Sequence, residues 1–213
     1  MDTLASGPRL RRLGAWMGIA FVVLFVAGFL LFNTPNKGSD TAKWASWWND
    51  SGHRTTAVIG AYLMVFGLLA FLWFAASIRD RFQAGGGLIF TFGSIFVAVS
   101  LVSVFVRTTI PANKTFGGNN GTPVPRGADL ARQLDGLGFG LLLVAGALTL
   151  ALFIALASNL ARRDGTLPGW LTVAGYVVAV LQLAGALFFP FALALLWVLI
   201  VAIVLVRRPA VGA

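Results

Sequence analysis

The chain has 213 residues, of which 58% are hydrophobic and 11% charged, and it contains neither glutamate nor cysteine. A soluble domain needs much more surface charge than this, and the absence of cysteine excludes disulfides, thiolate metal ligands and cysteine nucleophiles. Sixteen basic residues stand against seven acidic ones, but they fall between apolar runs and form no continuous patch, which argues against a nucleic-acid partner. With a mean hydropathy of +0.87, the chain is predicted to be an integral membrane protein.

Four apolar runs predict four helices, over residues 13–32, 55–78, 87–110 and 134–160. Each is close to the roughly 20 residues that a helix needs to cross about 30 Å of hydrocarbon. The first run is longer than the apolar region of a signal peptide, and no small-residue cleavage site follows it, so we expect it to remain as the first helix.

The last apolar run covers residues 170–206 and contains no charged residue. A single helix of that length would reach about 55 Å, far more than the hydrocarbon thickness. Pro190 lacks a backbone donor and breaks a helix, so we expect two helices, over residues 170–188 and 190–206. The fold class predicted is therefore an all-α membrane bundle of six transmembrane helices in one domain, residues 1–213. A five-span chain with a kinked or re-entrant last segment is the alternative.

Arginines mark alternate connections between the predicted helices. They stand at the N-terminus, after the second helix, after the fourth helix and at the C-terminus: Arg9, Arg11, Arg12, Arg79, Arg81, Arg162, Arg163, Arg207 and Arg208. Because cytoplasmic segments carry the excess of arginine and lysine, both termini are predicted to be cytoplasmic, with outer loops over residues 33–54 and 111–131. A five-span chain would place its C-terminus outside. The bias toward Arg, Ala, Gly and Val is typical of bacterial coding, so the location expected is a bacterial cytoplasmic membrane.

Three tryptophans in the first outer loop, Trp44, Trp47 and Trp48, have the spacing i, i+3, i+4 and share one face of a short helix. One interpretation is that this face anchors the loop in the outer headgroup layer, as aromatic belts do. The other is that it forms a lid over the mouth of the bundle. His53 is interpreted as a polar residue near a helix start, because no second histidine or cysteine exists to complete a metal site.

Two charged residues, Arg107 and Asp135, fall at membrane depth near the outer ends of the third and fourth predicted helices. Arg132 lies one turn before Asp135, so the sequence predicts an Arg, Asp, Arg cluster under the tryptophan loop. We expect this cluster to line an outward-facing cavity, with Asp50, His53 and Arg54 near its rim. The candidate ligand-binding residues are Arg107, Arg132, Asp135, Trp44, Trp47, Trp48, His53 and Arg54. A salt bridge that only clips the third helix to the fourth is the structural alternative.

The chain shows no set of residues that could carry out catalysis within the membrane. No histidine, cysteine or glutamate lies at membrane depth, and an aspartate between two arginines is held as a carboxylate and makes a poor base. We therefore expect a non-enzymatic protein without metal or cofactor, a cell-envelope scaffold or accessory subunit. Its partners would be the lipid bilayer and another protein or a lipid-like ligand. A small transporter or receptor for an apolar or anionic ligand is the alternative.

Several stretches together resemble small six-helix membrane proteins of unknown function that are abundant in actinobacteria. They are the arginine-rich start, the tryptophan loop before the second helix, LWFAASIRDRF, RRDGTLPGWL and the closing LWVLIVAIVLVRRP. The likeness covers nearly the whole chain. Its elements are topological, so it implies a cytoplasmic-membrane location and carries over no catalytic residue.

Overall fold

The structure, a computed structural model, describes residues 8–36, 38–82, 85–117, 123–124, 129–187 and 189–207. These residues form helices and the turns between them, with no strand among them, so the predicted all-α class is confirmed. The helices are α1 (Pro8–Leu31), α2 (Thr41–Asn49), α3 (Ser51–Arg79), α4 (Gly86–Phe116), α5 (Leu130–Gly140), α6 (Ala147–Arg163), α7 (Gly169–Leu181) and α8 (Phe189–Arg207). A π-helical segment, Leu141–Gly146, joins α5 to α6, and a 3-10 segment, Gln182–Leu187, follows α7.

The chain is a helical membrane bundle. Five helical segments are long and apolar enough to cross a bilayer: Arg12–Leu31, Ser51–Arg79, Gly86–Phe116, Leu130–Arg163 and Phe189–Arg207. A shorter apolar helix covers Gly169–Ala184. The outward-facing side chains of these helices are large and apolar, with Val23, Phe66 and Phe105 each more than half exposed. Such a surface is stable in lipid and unstable in water.

The last apolar run folds back on itself. Trp197 Nε1 on α8 donates to the backbone oxygen of Leu171 on α7, at 3.1 Å, and Gln182 donates to the backbone oxygen of Pro190. Leu171 and Trp197 are far apart along the chain, whereas Gln182 and Pro190 are close together. Helices α7 and α8 therefore run in opposite directions and are joined by a turn. Helix α7 ends at Leu181, earlier than the predicted 188, because the chain tightens into the 3-10 segment before the turn.

Other helices also extend beyond their predicted ranges, and α1 begins at Pro8 and α5 at Leu130 instead of at residues 13 and 134. Helix α4 continues through Pro111 to Phe116, beyond the predicted end at residue 110, so the second outer loop begins later. A proline inside a membrane helix is tolerated when its surroundings satisfy the carbonyl that loses its donor. Helix α3 begins at Ser51, earlier than the predicted residue 55, because Asp50 caps it: its side chain accepts from the amide of His53.

The start of α1 and the end of α8 lie on the same face of the bundle. Gly14 on α1 packs against Ser77 near the end of α3, which makes these two helices antiparallel. Gly18 packs against Ala202 of α8, and the rings of Phe25 and Phe191 are 6.1 Å apart, so α8 is antiparallel to α1 as well. We call this face, which also holds the α3–α4 and α6–α7 connections, the arginine-rich end.

A cluster of phenylalanine rings holds four helices together in the middle of the bundle. The ring of Phe71 on α3 lies 4.8 Å from Phe21 on α1, 5.1 Å from Phe96 on α4 and 5.1 Å from Phe153 on α6, between ring centroids. All four side chains are fully buried. Tilted ring pairs at such distances add to the packing energy. This cluster therefore sets the relative depth of α1, α3, α4 and α6 and positions the polar residues that lie toward the other end.

Candidate functional site

Arg107 and Asp135 form a buried ion pair at the end of the bundle opposite the arginine-rich end. Arg107 Nε lies 2.8 Å from Asp135 Oδ1, and the two side chains are 3% and 4% exposed. The contact joins α4 to α5, as the sequence predicted. A charged pair this deep is maintained only when both partners are present, because removing one leaves the other charge buried and uncompensated.

Three phenylalanine rings surround the arginine. The guanidinium carbon of Arg107 is 4.0 Å from the ring centroid of Phe139, 4.5 Å from that of Phe32 and 5.9 Å from that of Phe29. The negative face of an aromatic ring attracts a cation, most strongly where water is excluded. Phe29 and Phe32 lie near the end of α1, so the arginine connects three helices and not only two.

Gly138 provides the space through which Arg107 reaches the aspartate. A Cβ atom built on Gly138 would lie 2.2 Å from Arg107 Cγ and 2.9 Å from the backbone oxygen of Ser103. Ser103 Oγ also donates to the backbone oxygen of Gly138, at 2.7 Å. A glycine at this position therefore lets α4 and α5 approach closely and lets the arginine stem lie across α5.

Arg132 does not join this pair, and the predicted Arg, Asp, Arg cluster is wrong. Its guanidinium pairs with Asp129 at 3.0 Å, and these two side chains are 40% and 41% exposed. Asp129 and Asp135 are each one turn from Arg132, but Asp129 lies at the exposed start of α5. A long arginine side chain keeps its charge in contact with water there, whereas turning inward would bury a second positive charge.

The tryptophan helix α2 lies against the end of the bundle. Trp44 is 0% and Trp48 2% exposed, and the ring of Trp48 is 6.3 Å from that of Phe32. Burial inside the protein contradicts headgroup anchoring through these two side chains, and it is the geometry that a lid requires. Trp48 covers Phe32, which in turn covers Arg107, so α2 forms the outer layer over the ion pair.

One aspartate and one arginine bind the two ends of α2. Asp40 Oδ1 accepts from the amide of Lys43, at 2.8 Å, and caps the start of α2, a common role of aspartate. Arg54 donates to the backbone oxygens of Trp48, at 3.0 Å, and Asn49, at 2.8 Å. It thus supplies hydrogen bonds to carbonyls that have no partner within the last turn of α2. The guanidinium of Arg54 therefore binds the end of α2 and does not line the rim of a cavity, as the sequence had predicted.

Asp50 caps α3, and this contact changes its acidity. Its carboxylate accepts the amide hydrogen of His53 at 2.9 Å. That hydrogen bond stabilises the charged form and, with help from the nearby His53 and Arg54 charges, lowers the pKa of Asp50 below its ordinary value.

His53 and Asn49 attach neighbouring segments to the lid. The imidazole of His53 stacks on the ring of Trp47, with centroids 3.5 Å apart and planes 10° from parallel. The side chain of Asn49 accepts from the amide of Val124 at 2.8 Å and donates to the carbonyl of the same residue at 3.3 Å. The second outer loop is thus joined to the first at Val124.

The structure brings together Arg107 and Asp135, and it covers them with Trp48 through Phe32. Trp44 is buried in the same lid, whereas Trp47, His53 and Arg54 are only partly buried and Arg132 is separate. The sequence did not predict the contacts of Arg107 with Phe29, Phe32, Phe139 and Gly138. Only Phe139 and Gly138 had a local signal, because they follow Asp135 by one helical turn and share its face.

This arrangement can hold helices together, but it offers little for chemistry. The carboxylate of Asp135 is bound to the arginine, and the rings around Arg107 exclude water. Within the described parts of the chain, no group of three histidine, cysteine, aspartate or glutamate side chains could hold a metal ion. Comparison with known protein families, with curated proteins and with solved structures finds no match.

Proposed function

We propose that this chain is a non-enzymatic, multi-pass protein of a bacterial cytoplasmic membrane, with both termini in the cytoplasm. Its role would be that of a cell-envelope scaffold or accessory subunit, in keeping with its resemblance to small six-helix actinobacterial membrane proteins. The observation that carries this proposal is the covered ion pair of Arg107 and Asp135. A charge that is neutralised by a carboxylate and enclosed by three rings is used to join helices.

The transporter or receptor alternative requires a water-filled cavity that reaches Arg107 and Arg132. The Arg107 side chain is 3% exposed, and Phe32 and Phe139 occupy the space next to its guanidinium. Arg132 is engaged with Asp129 on the surface. A ligand at this place would have to displace both rings and the lid helix α2, at the cost of their buried contacts. The observations therefore favour the scaffold or accessory role.

Replacing both charges with apolar side chains distinguishes the two functions. In Arg107→Met with Asp135→Leu, neither charge is left unpaired, and apolar replacement of a buried pair is commonly neutral or stabilising. We expect this double variant to keep the wild-type assembly state on native gels and the same set of copurifying molecules in native mass spectrometry after extraction in mild detergent.

The result that contradicts the proposal is a lipid or metabolite that copurifies with the wild type and is lost from the double variant. Such a loss would make the pair a ligand site. The matched control is Arg132→Gln with Asp129→Asn, which removes an equal number of charges from the exposed pair beside the site. A molecule lost from both variants would report the change in surface charge, so only a loss confined to the buried pair counts against the scaffold role.

A further inference from the structure

The imidazole of His53 lies at the corner between the lid helix α2 and the helix that follows it. His53 is in the first turn of α3, and its ring stacks on that of Trp47 on α2, with centroids 3.5 Å apart and planes 10° from parallel. The two helices are joined by a single residue, Asp50. The stacked rings therefore span the corner, and a movement of α2 away from the bundle separates them.

One ring nitrogen of His53 faces a carboxylate. Nδ1 is enclosed and has no hydrogen bond within the described part of the chain, but Asp50 Oδ1 lies 3.4 Å away. The two side chains are 41% and 57% exposed, so protons from the water reach them. Histidine is the side chain whose charge ordinarily changes between about pH 5 and pH 8. Acid therefore places a positive charge between an aromatic face and a carboxylate.

Both of these neighbours attract a protonated ring. The face of a tryptophan binds a cation more strongly than other aromatic side chains do. Asp50 supplies a full negative charge. After the hydrogen bond from the His53 amide, the charge of His53 contributes more to the lowered pKa of Asp50 than the charge of Arg54 does. A charge on His53 therefore strengthens contacts that the ring already makes.

Two features act against a charge on the ring, and both are offset. His53 lies at the positive end of the α3 dipole, but the carboxylate of Asp50 caps that same end. Arg54 is the next residue in the chain, but its guanidinium is directed to two backbone oxygens at the end of α2, where the dipole of α2 is negative.

The charges on the neighbouring elements come in pairs of opposite sign. Asp40 and Lys43 lie together at the start of α2, where the carboxylate of Asp40 accepts from the amide of Lys43. On α5, which also packs against α2, Arg132 and Asp129 form an ion pair. The fields of opposite charges largely cancel, and salt screens what remains at a distance. The groups in contact with the ring therefore determine the effect of its charge.

We propose that His53 is an acid-sensitive latch for the lid: protonation of its imidazole strengthens the contacts with Trp47 and Asp50 and holds α2 more firmly against the bundle. The attraction between a cation and a ring at an exposed site corresponds to about a two- to fivefold change in an equilibrium. In the proposed topology this corner faces the outside of the cell, so the latch responds to the acidity of the surroundings. The response of the lid to acid does not itself depend on that topology.

A cysteine on the inward face of α2 measures how often the lid opens. Ala45 is 1% exposed, so Ala45→Cys reacts with a thiol reagent only when α2 leaves the bundle, whereas Ala42→Cys, on the exposed face of the same helix, reacts at all times. The ratio of the two rates cancels the effect of pH on thiol ionisation. From about pH 8 to about pH 5 we expect this ratio to fall about two- to fivefold. The fall should be absent when both proteins also carry His53→Gln.

Three results overturn the proposal. An equal fall with His53→Gln would mean that another group senses the acid. A ratio that does not change with pH would mean that the charge of His53 does not hold the lid. A ratio that rises in acid would mean that repulsion from Arg54 prevails. If Ala45→Cys fails to fold, amide hydrogen exchange of α2 in wild type and in His53→Gln, compared at each pH, gives the same decision.

Discussion

Gly138 on α5 lies directly against the stem of Arg107 on α4, so close that a Cβ atom on the glycine would be 2.2 Å from Arg107 Cγ. We expect Gly138→Ala to push the arginine stem away from Asp135 and to lower the free energy of unfolding by about 1–3 kcal/mol, as overpacking of a filled core does. Unfolding in mixed detergents measures this change.

Gly136 and Gly140 provide matched controls for Gly138, because a Cβ at either position meets nothing within 4 Å. Alanine favours a helix over glycine by about 1 kcal/mol. Gly136→Ala and Gly140→Ala should therefore be neutral or stabilising. If Gly138→Ala is equally harmless, the close contact between α4 and α5 does not hold the arginine in place.

The ion pair predicts unequal effects of single and double substitutions. Asp135→Asn leaves the Arg107 charge buried without a counterion, so we expect a loss of about 3–5 kcal/mol in the free energy of unfolding. The double variant Arg107→Met with Asp135→Leu should be much closer to wild type. Asp129→Asn, at the exposed pair, should cost less than about 1 kcal/mol. Equal costs for Asp135→Asn and Asp129→Asn would contradict a buried pair.

Helix α2 is predicted to contribute stability through its inward tryptophans. Trp48→Ala removes a side chain that is 2% exposed and should cost about 3–5 kcal/mol in the free energy of unfolding. Trp16 is half exposed on the lipid-facing surface, so Trp16→Ala should cost far less. If the two substitutions cost the same, α2 does not pack on the bundle as described.

The orientation of the bundle can be measured by labelling single cysteines, since the chain has none of its own. Ser51→Cys is at the start of α3, and Asp164→Cys is at the end of α6, on the arginine-rich end. Both positions are exposed and neither change removes an arginine. With arginines inside, a membrane-impermeant maleimide on intact cells should label Ser51→Cys at once and Asp164→Cys only after lysis. The reverse pattern would invert the proposed topology.

The lowered pKa of Asp50 predicts how the capped start of α3 responds to acid. A carboxyl group whose pKa falls on folding stabilises the folded state above its ordinary pKa, and this contribution disappears as the pH falls through the lower, folded value. The difference in melting temperature between wild type and Asp50→Ala should be constant near neutral pH and shrink below about pH 4.

Asn is an equally good helix cap that does not titrate. Wild type and Asp50→Asn should therefore have similar melting temperatures at neutral pH and diverge only in acid. A wild type that follows Asp50→Asn down to pH 2 would mean that the cap does not depend on the carboxylate charge.

Membrane spans and the final hairpin could be predicted from the sequence because the thickness of a bilayer limits the length of each helix. The last run was too long for one crossing, and the backbone donor missing at Pro190 marked where it turns. The pairing of Arg107 with Asp135 could also be predicted, because a charge in hydrocarbon is costly and two opposite charges at the same depth lower that cost by pairing.

The environment of the tryptophans and the partner of Arg132 could not be predicted in the same way. The spacing of Trp44, Trp47 and Trp48 shows that they share a face. Lipid and the protein interior are both apolar, so the spacing does not show which of the two this face contacts. Arg132 is three residues from Asp129 and three from Asp135, and only burial decides between them. The rings of Phe29 and Phe32 come from a distant helix, and no local pattern marks their approach to Arg107.

The ion pair also has a consequence for how the chain is made. Arg107 and Asp135 are 28 positions apart, so during translation α4 leaves the ribosome well before α5. Until the later segment emerges, the arginine has no carboxylate to accompany it into hydrocarbon, where a lone charge is costly. We therefore expect the end of α4 that carries Arg107 to reach its final depth only when α5 arrives.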